Sequence, residues 1–323
     1  GQLIELSPDG NQIAANEIDS VAPRGEGGLL GIALHPDFAN NRWLYLYETY
    51  GAEDGTRNRV VRYQYRNGEI ANRSVIIDGI PGAAYHDGGR IAFGPENTYL
   101  FVGAGDAGSS REAQSTSTLN GKILRLNPDG SIPETNPFGN AIYSFGHRNP
   151  QGLAWDRLGR LRSTEHGRSG VRSGLDEINL IKRGANYGWP YLEGDETCQN
   201  DRMYSPAVPD KTQSNCSMLP PVIHSGPDIT WAPASAAIYD KTLYFGGLRG
   251  QAIYTVQIKK SGVEVGLGEV KAHFKKRFGR IRTVKVGPNN QYLYVTTSNT
   301  DGRGNPEASD DRLIRIKLRA FDF

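Results

Sequence analysis

Polar and apolar residues alternate with a period of two in RVVRYQY (Arg59 to Tyr65), KILRLN (Lys122 to Asn127), AIYTVQI (Ala252 to Ile258) and RLIRIKL (Arg312 to Leu318). That period puts one set of side chains on each face of a strand, so each segment predicts a half-buried β-strand. Helical periodicity is almost absent. The strands are punctuated by a recurring unit: a turn rich in Pro, Asp, Asn and Gly, then a run with Leu, Tyr or Val. Strong copies start at His35 (HPDFANNRWLYLY), Gly94 (GPENTYLFVGAGD), Trp155 (WDRLGRLRSTEHG), Ile238 (IYDKTLYFGG) and Gly287 (GPNNQYLYVTTSN), with starts separated by 59, 61, 83 and 49 residues. Weaker turns stand at Ser7 to Gly10 and Asn127 to Gly130. Such intervals suit a four-stranded blade with variable loops better than any helical repeat. Dividing the 323 residues by roughly 50 per blade gives about six blades. The expected fold is therefore all-β, a six-bladed β-propeller with four-stranded antiparallel blades, in one domain over residues 1–323 with a loop insertion around 191–230. LIEL near the N-terminus and RLIRIKL near the C-terminus are expected to share one blade.

Composition sharpens this reading and excludes some functions. Forty glycines and 18 prolines suit short strands joined by tight turns, and 37% hydrophobic residues suffice for a core in a chain of this length. Charge is nearly balanced, 37 Lys and Arg against 35 Asp and Glu. No long basic run tracks a phosphate backbone, so nucleic acid is not an expected partner. No apolar run approaches the roughly 18 residues of a membrane span. The opening GQLIELSPDG has neither the charged start nor the apolar core of an export signal, so such a signal is expected to have been removed or never to have existed. Cys198 and Cys216 stand 18 positions apart in a polar stretch. An exported chain would pair them, whereas a reducing cytosol would leave two thiols; a disulfide is the expectation.

Candidate chemistry gathers in polar loops. GHRNPQGLAW, Gly146 to Trp155, sets His147, Arg148, Asn149 and Gln151 between glycines and a proline, residues that fix a loop in one shape. Its Arg and Asn are suited to something anionic and planar. His86, in YHDGGR, lies on a turn, where a neutral imidazole can serve as general base or stand as a surface histidine. Further segments are GAGD (Gly103 to Asp106), TEHG (Thr164 to Gly167), DEINL (Asp176 to Leu180) and NYGWP (Asn186 to Pro190).

In this order and at these intervals, the set resembles the soluble quinoprotein glucose and aldose sugar dehydrogenases, which use pyrroloquinoline quinone (PQQ). The resemblance spans nearly the whole chain, from EGGLLGIALHPDF to YVTTSN. It implies that His86, with Gly89 and Arg90 in an H-x-x-G-R motif, takes the proton of the anomeric hydroxyl, and that Asp106 orients and polarises it. Arg148 and Asn149 match the pair that faces the quinone, where a permanent positive charge can stabilise developing negative charge. Arg280 and Arg282, two apart on a strand and so on one face, match arginines that contact the carboxylates of PQQ. The carbonyls of Gly167 and Arg168 match ligands of calcium (Ca2+), which accepts hard oxygen donors. Glu177 and the carbonyl of Tyr187 match a second calcium site. Glu26 and His166 stand where glutamines touch cofactor or sugar, Tyr85 where an acid precedes the base, Leu248 where some members have a cofactor-binding lysine, and Ser298 where they have an aspartate. Tyr85 and Trp231 are the candidate sugar contacts. From the residues alone, Arg148 with Asn149 could form a salt bridge and a turn cap, Arg280 and Arg282 could line a solvated strand face, and Glu177 could cap a turn.

The implied activity is PQQ- and calcium-dependent oxidation of the C1 hydroxyl of an aldose sugar to a lactone, with an external electron acceptor (a quinone, a dye or a small redox protein), in a periplasmic or secreted protein. No GxGxxG opens a strand–turn–helix unit, which disfavours a nicotinamide enzyme. The alternatives are a non-catalytic propeller that binds carbohydrate or protein, and a calcium-dependent lactonase, which would hold a central metal by side-chain carboxylates and amides. A disulfide closing the short Cys198–Cys216 loop is worth about 3 kcal/mol in the chain-entropy account. Thiol titration of the denatured, unreduced protein is expected to find no free cysteine; two titratable thiols would refute the bridge.

Overall fold

The computed structural model describes residues 1–95, 99–170, 173–194, 217–261 and 264–321. Cys198 and Cys216 lie outside the described residues. The chain divides into two compact units, Gly1–Asn149 with Arg183–Pro190, and Pro150–Lys182 with Tyr191–Phe323.

In the first unit a two-stranded hairpin, Gln2–Leu6 and Gln12–Glu17, precedes two four-stranded blades. The first blade is Leu29–Leu34, Trp43–Ala52, Gly55–Arg66 and Glu69–Pro81; the second is Ile91–Phe93, Leu100–Ala104, Lys122–Leu126 and Ile142–Phe145. In the second unit the third blade is Pro150–Trp155, Leu161–Glu165, Glu177–Leu180 and Ile223–His224. The fourth is Pro233–Tyr239, Thr242–Gly247, Ala252–Ser261 and Glu264–His273, and the three-stranded fifth is Ile281–Val286, Tyr292–Thr297 and Leu313–Lys317. Every strand in a blade pairs antiparallel with its neighbour in sequence, the order of a propeller blade.

The chain is thus all-β, and the described residues form five blades rather than the expected six. The five strong turn copies each fall between the first and second strands of one blade, so the repeat itself carried the number and the average blade length misled. Strands of 10, 12 and 13 residues lengthen the first blade, and the segment between Leu180 and Ile223 lengthens the third. The ends of the chain also depart from expectation. Gln2 pairs with Glu17 inside the hairpin, and Leu313–Lys317 pairs with Tyr292–Thr297, so LIEL and RLIRIKL belong to separate sheets.

Apolar strand faces build the cores. Tyr47, Val60, Ile80, Leu100, Val102 and Leu124 lie at the centre of the first unit's largest cluster. The second unit has one cluster around Ile253, Ile281, Leu293 and Phe321 and another around Trp231, Leu243, Phe245 and Tyr254. Full burial of one such side chain contributes about 2 kcal/mol.

Lys122–Leu126 departs from the half-buried pattern expected of it. All five residues of Lys122–Leu126 are buried, the polar ones included. The Lys122 ammonium donates to the carbonyls of Glu112 (2.8 Å), Ala113 (3.2 Å) and Asn120 (2.5 Å), filling its three donor positions. Burial pushes its pKa down to about 7, against the pull of the Glu112 carboxylate. Because that value lies below the ordinary 10.5, the unfolded chain binds the extra proton across the interval and the lysine's contribution to stability grows as pH rises through it. The stability of the protein relative to Lys122→Met, measured by urea unfolding, should therefore increase between pH 7 and about 9.5 by at most about 1.4 kcal/mol per pH unit. A difference that stays flat with pH would refute this.

Candidate active site

In the first unit the YHDGGR turn is pressed backbone to backbone against the GAGD loop. His86, Gly88 and Gly89 all have left-handed φ, at 62°, 67° and 102°. A Cβ on Gly105 would lie 1.9 Å from the His86 carbonyl oxygen, and one on Gly88 2.4 Å from that of Gly103. Only glycine permits this approach. The Gly89 amide donates to the Gly103 carbonyl at 2.9 Å, and the Ala107 amide to that of His86 at 3.2 Å.

The turn carries the imidazole to Asp106, with His86 Nδ1 2.7 Å from Asp106 Oδ1. The two side chains are 12% and 2% exposed. Donation from Nδ1 to a carboxylate leaves the Nε2 lone pair of a neutral imidazole available to accept a proton. Asp106 is held on every side. Oδ1 also accepts from the Gly108 amide (2.8 Å), Oδ2 accepts from Trp189 Nε1 (2.8 Å), and the backbone carbonyl accepts from Asn120 Nδ2 (2.9 Å). Its amide donates to the Arg148 carbonyl at 2.8 Å, which ties the GAGD loop to GHRN.

Glu26, Arg148, Asn149 and Tyr85 meet the same assembly. Glu26 Oε2 accepts from the His86 amide at 2.9 Å, and Asn149 Oδ1 from the Gly88 amide at 3.1 Å. The Arg148 guanidinium stands over the Trp189 ring, 5.2 Å from its centroid. Tyr85, about half exposed, meets His86 edge-on at 4.8 Å. His147, by contrast, stacks on buried Tyr187 at 4.7 Å and contacts Ser144 Oγ at 2.8 Å, a core arrangement. Beside His86 lies a carboxyl that sequence reasoning passed over. Asp87 is 2% exposed; burial pushes its pKa above the usual range against hydrogen bonds from Asn58 and the Ala83 amide, and the Glu26 carboxylate adds to the rise.

In the second unit the TEHG loop is fixed by Asp176. This carboxylate, 1% exposed, accepts from the amides of Gly167 (3.0 Å), Trp231 (2.6 Å) and Ala232 (2.9 Å). A Cβ on Gly167 would lie 2.2 Å from the Leu175 carbonyl oxygen, so only glycine fits there. His166, partly buried, precedes it. The Arg168 side chain reaches Glu193, Nε to Oε2 3.7 Å, so this cation has an acid of its own. Trp231 is 6% exposed and packs on Phe245 and Tyr254, the setting of a core residue.

Glu177 faces Glu165 directly across the sheet. Asn179 Nδ2 donates to both carboxylates, at 3.1 and 3.4 Å, and the Gly194 amide donates to Glu177 at 3.1 Å. Burial, and then the facing Glu165, push Glu177 up to about 8. Like charges opposed on adjacent strands are unfavourable unless a proton or cation sits with them. This donor chemistry fits a hard cation. Among the described residues no group of three or more His, Cys, Asp or Glu side chains forms a metal cage, so any calcium would need carbonyl or water ligands as well. Tyr187, the other residue matched to that site, belongs to the first unit.

Arg280 carries its own counter-anion. Its Nη2 and Nε donate to Asp301 Oδ2 at 2.8 and 3.1 Å, and Nε also to the Ser298 carbonyl at 3.1 Å. Arg282 approaches the same oxygen at 4.0 Å. Burial works to raise the Asp301 pKa, but the Arg303 amide and the Arg280 guanidinium hold it below the usual range. The Ser298 hydroxyl also donates to Asp301 at 3.1 Å, and the buried Leu248 contributes its carbonyl, 3.5 Å from Arg280 Nη1. Asp301 thus supplies an acid three residues beyond Ser298. Trp189, Asp176 and Asp301 are, with Asp87, neighbours of the site that the sequence reading missed; NYGWP, DEINL and SNTDG contain the first three without marking their bonds.

The family model for Glucose / Sorbosone dehydrogenase matches residues 1–315. The chain belongs to that family. Among solved structures it is 36% identical to the PQQ-bound aldose sugar dehydrogenase of Streptomyces coelicolor, over 95% of this chain and 84% of that one, with a TM-score of 0.79. A Thermus thermophilus protein described as an oxidoreductase (glucose dehydrogenase) is 39% identical over 96% and 94% of the two chains, with a TM-score of 0.81. The aldose sugar dehydrogenase of Escherichia coli is 28% identical over 88% of this chain and 78% of its own length. The resemblance carried by the loop motifs therefore holds at the level of the glucose/sorbosone dehydrogenase family, and the three relatives just described bear the names of glucose or aldose sugar dehydrogenases. Among the described residues no helix is long and apolar enough to cross a membrane.

Asp176 gives a direct test of how the TEHG loop is fixed. Asp176→Asn turns two oxygens that accept three amides into one oxygen and an NH2 group facing donors. The substitution should cost about 2–4 kcal/mol in urea unfolding. A loss below about 1 kcal/mol would mean the loop is held by other means.

Proposed function

We propose that this chain oxidises the C1 hydroxyl of an aldose to the corresponding lactone, using PQQ and calcium. The observation that carries the proposal is the His86–Asp106 pair at 2.7 Å, an imidazole oriented by a buried carboxylate on a turn. PQQ, when bound, supplies a two-electron acceptor for the hydride that leaves C1. His86 takes the hydroxyl proton on Nε2, and Asp106 stabilises the resulting imidazolium through the Nδ1 bond. Tyr85, edge-on to His86 and half exposed, limits how a sugar approaches the base.

The donor set suits the cofactor's chemistry. Arg148 and Asn149 offer a fixed cation and a carboxamide to a quinone, and Arg280 and Arg282 offer guanidinium groups to carboxylates. The Arg148 guanidinium can stabilise negative charge that builds on an acceptor oxygen. Calcium would take the carbonyls of Gly167 and Arg168, and a structural ion would suit Glu177. An external quinone, dye or small redox protein would regenerate the oxidised cofactor, and a periplasmic or extracellular setting agrees with this chemistry. A purely binding protein would have no use for an oriented base, which disfavours that alternative.

The test is reconstitution: the purified protein with PQQ and calcium should reduce a dye in the presence of aldoses, and chelation should abolish the activity. His86→Ala should bind PQQ nearly as well while kcat falls at least about 10²-fold, the low end for a lost general base. Dye reduction that never appears would overturn the enzymatic reading, and normal turnover per bound PQQ in His86→Ala would overturn the choice of base.

A further inference from the structure

Trp189 touches two loops of the His86 assembly in the first unit, GAGD and GHRN. Its indole Nε1–H donates to Asp106 Oδ2 at 2.8 Å, and its ring lies under the Arg148 guanidinium at 5.2 Å. Its backbone is clamped at both ends. The amide donates to the Gly146 carbonyl at 3.0 Å, and the carbonyl accepts from Gln114 Nε2 at 2.6 Å. Gln114 in turn exchanges hydrogen bonds with the Asn186 carboxamide at 2.7 and 3.1 Å. The indole is therefore held in one place by contacts that do not involve the base.

We infer that Trp189 is a positioning residue for the proposed reaction: its N–H locks the Asp106 carboxylate so that His86 keeps its proton on Nδ1 and presents Nε2 to the sugar, while its ring seats Arg148. The inference rests on the reading of His86 as the base. The physical reason lies in how the two carboxylate oxygens are used. Oδ1 is shared by His86 Nδ1 and the Gly108 amide, and Oδ2 is held by the indole. Without a donor on Oδ2 the carboxylate can rotate, and the geometry that selects the Nδ1–H tautomer is lost. A tryptophan serving packing alone could send its N–H to any carbonyl or to water. Here the N–H meets the one carboxylate that orients the base.

Trp189→Phe keeps an aromatic ring at that position, smaller than the indole, and removes the donor. In the reconstituted enzyme kcat should fall about tenfold, near the low end for a hydrogen bond to a charged group, with PQQ affinity unchanged within about twofold. Trp189→Leu should in addition weaken PQQ binding. In an Asp106→Asn background, Trp189→Phe should change kcat by less than about twofold, because the group it acts through is gone. Nitrogen-15 spectra of histidine-labelled, PQQ-free protein, assigned by difference from His86→Ala, should show His86 as the Nδ1–H tautomer in the native sequence and as a mixture in Trp189→Phe. An unchanged tautomer with kcat within twofold of the parent would overturn the proposal, as would an equal loss in both backgrounds. Should the variants at 189 fail to fold, Asp106→Ala serves instead: solvent exchange of the Trp189 indole proton should accelerate at least about tenfold, and unchanged exchange would overturn it. Since the tautomer and exchange measurements need no cofactor, they decide the role of Trp189 even if reconstitution with PQQ fails.

Discussion

An ionised carboxylate cannot be buried without donors, and in the first unit the loops are arranged around satisfying one. Moving such a group out of water costs several kcal/mol even after relaxation, yet Asp106 is 1% exposed. The compensation comes from an imidazole, an indole and a backbone amide on its oxygens, while its own amide and carbonyl reach Arg148 and Asn120. Segments distant in sequence thereby converge on one side chain. The arrangement of imidazole, guanidinium and indole follows from that convergence, and moving any one loop would break one of these bonds.

The second unit meets the same constraint by other means. Asp176 takes backbone amides from Gly167, Trp231 and Ala232. Through these bonds it fixes the course of two loops by their backbones. Asp301 takes a guanidinium, so Arg280 is aimed before any ligand arrives. That pairing lowers the repulsion an arginine pair would otherwise carry, and an anion bound there would have to share these guanidinium groups with Asp301. Glu165 and Glu177 do the reverse, two acids face to face with a shared carboxamide between them.

Much of this was legible from the chain alone, for reasons that differ by feature. The turn repeat is local, and each of its five strong copies marks the same place in a blade; the extra blade came from applying an average length to unequal blades. The GHRN and HDGGR loops were recognisable because glycines fix their shape from within. The bonds of Asp106 to Trp189, 83 positions apart, and of Asp176 to the Trp231 amide, 55 apart, were not. A backbone donor has no signature in the sequence, and periodicity reports only near neighbours. Lys122 misled in the same way: it occupies a polar position of an alternating strand, but its burial depends on carbonyls supplied by a loop outside that strand.

The backbone of His86 adds a consequence for the protein's evolution and engineering. At φ 62° it occupies a conformation that costs a residue with a Cβ of the order of 1 kcal/mol and costs glycine almost nothing. The proposed base is thus held at a site whose local geometry prefers a different amino acid. A library selected for heat resistance alone would drift toward glycine or asparagine there, gaining ruggedness as it discarded chemistry. Persistence of histidine at that position among thermally hardened descendants would therefore record selection for turnover rather than for folding.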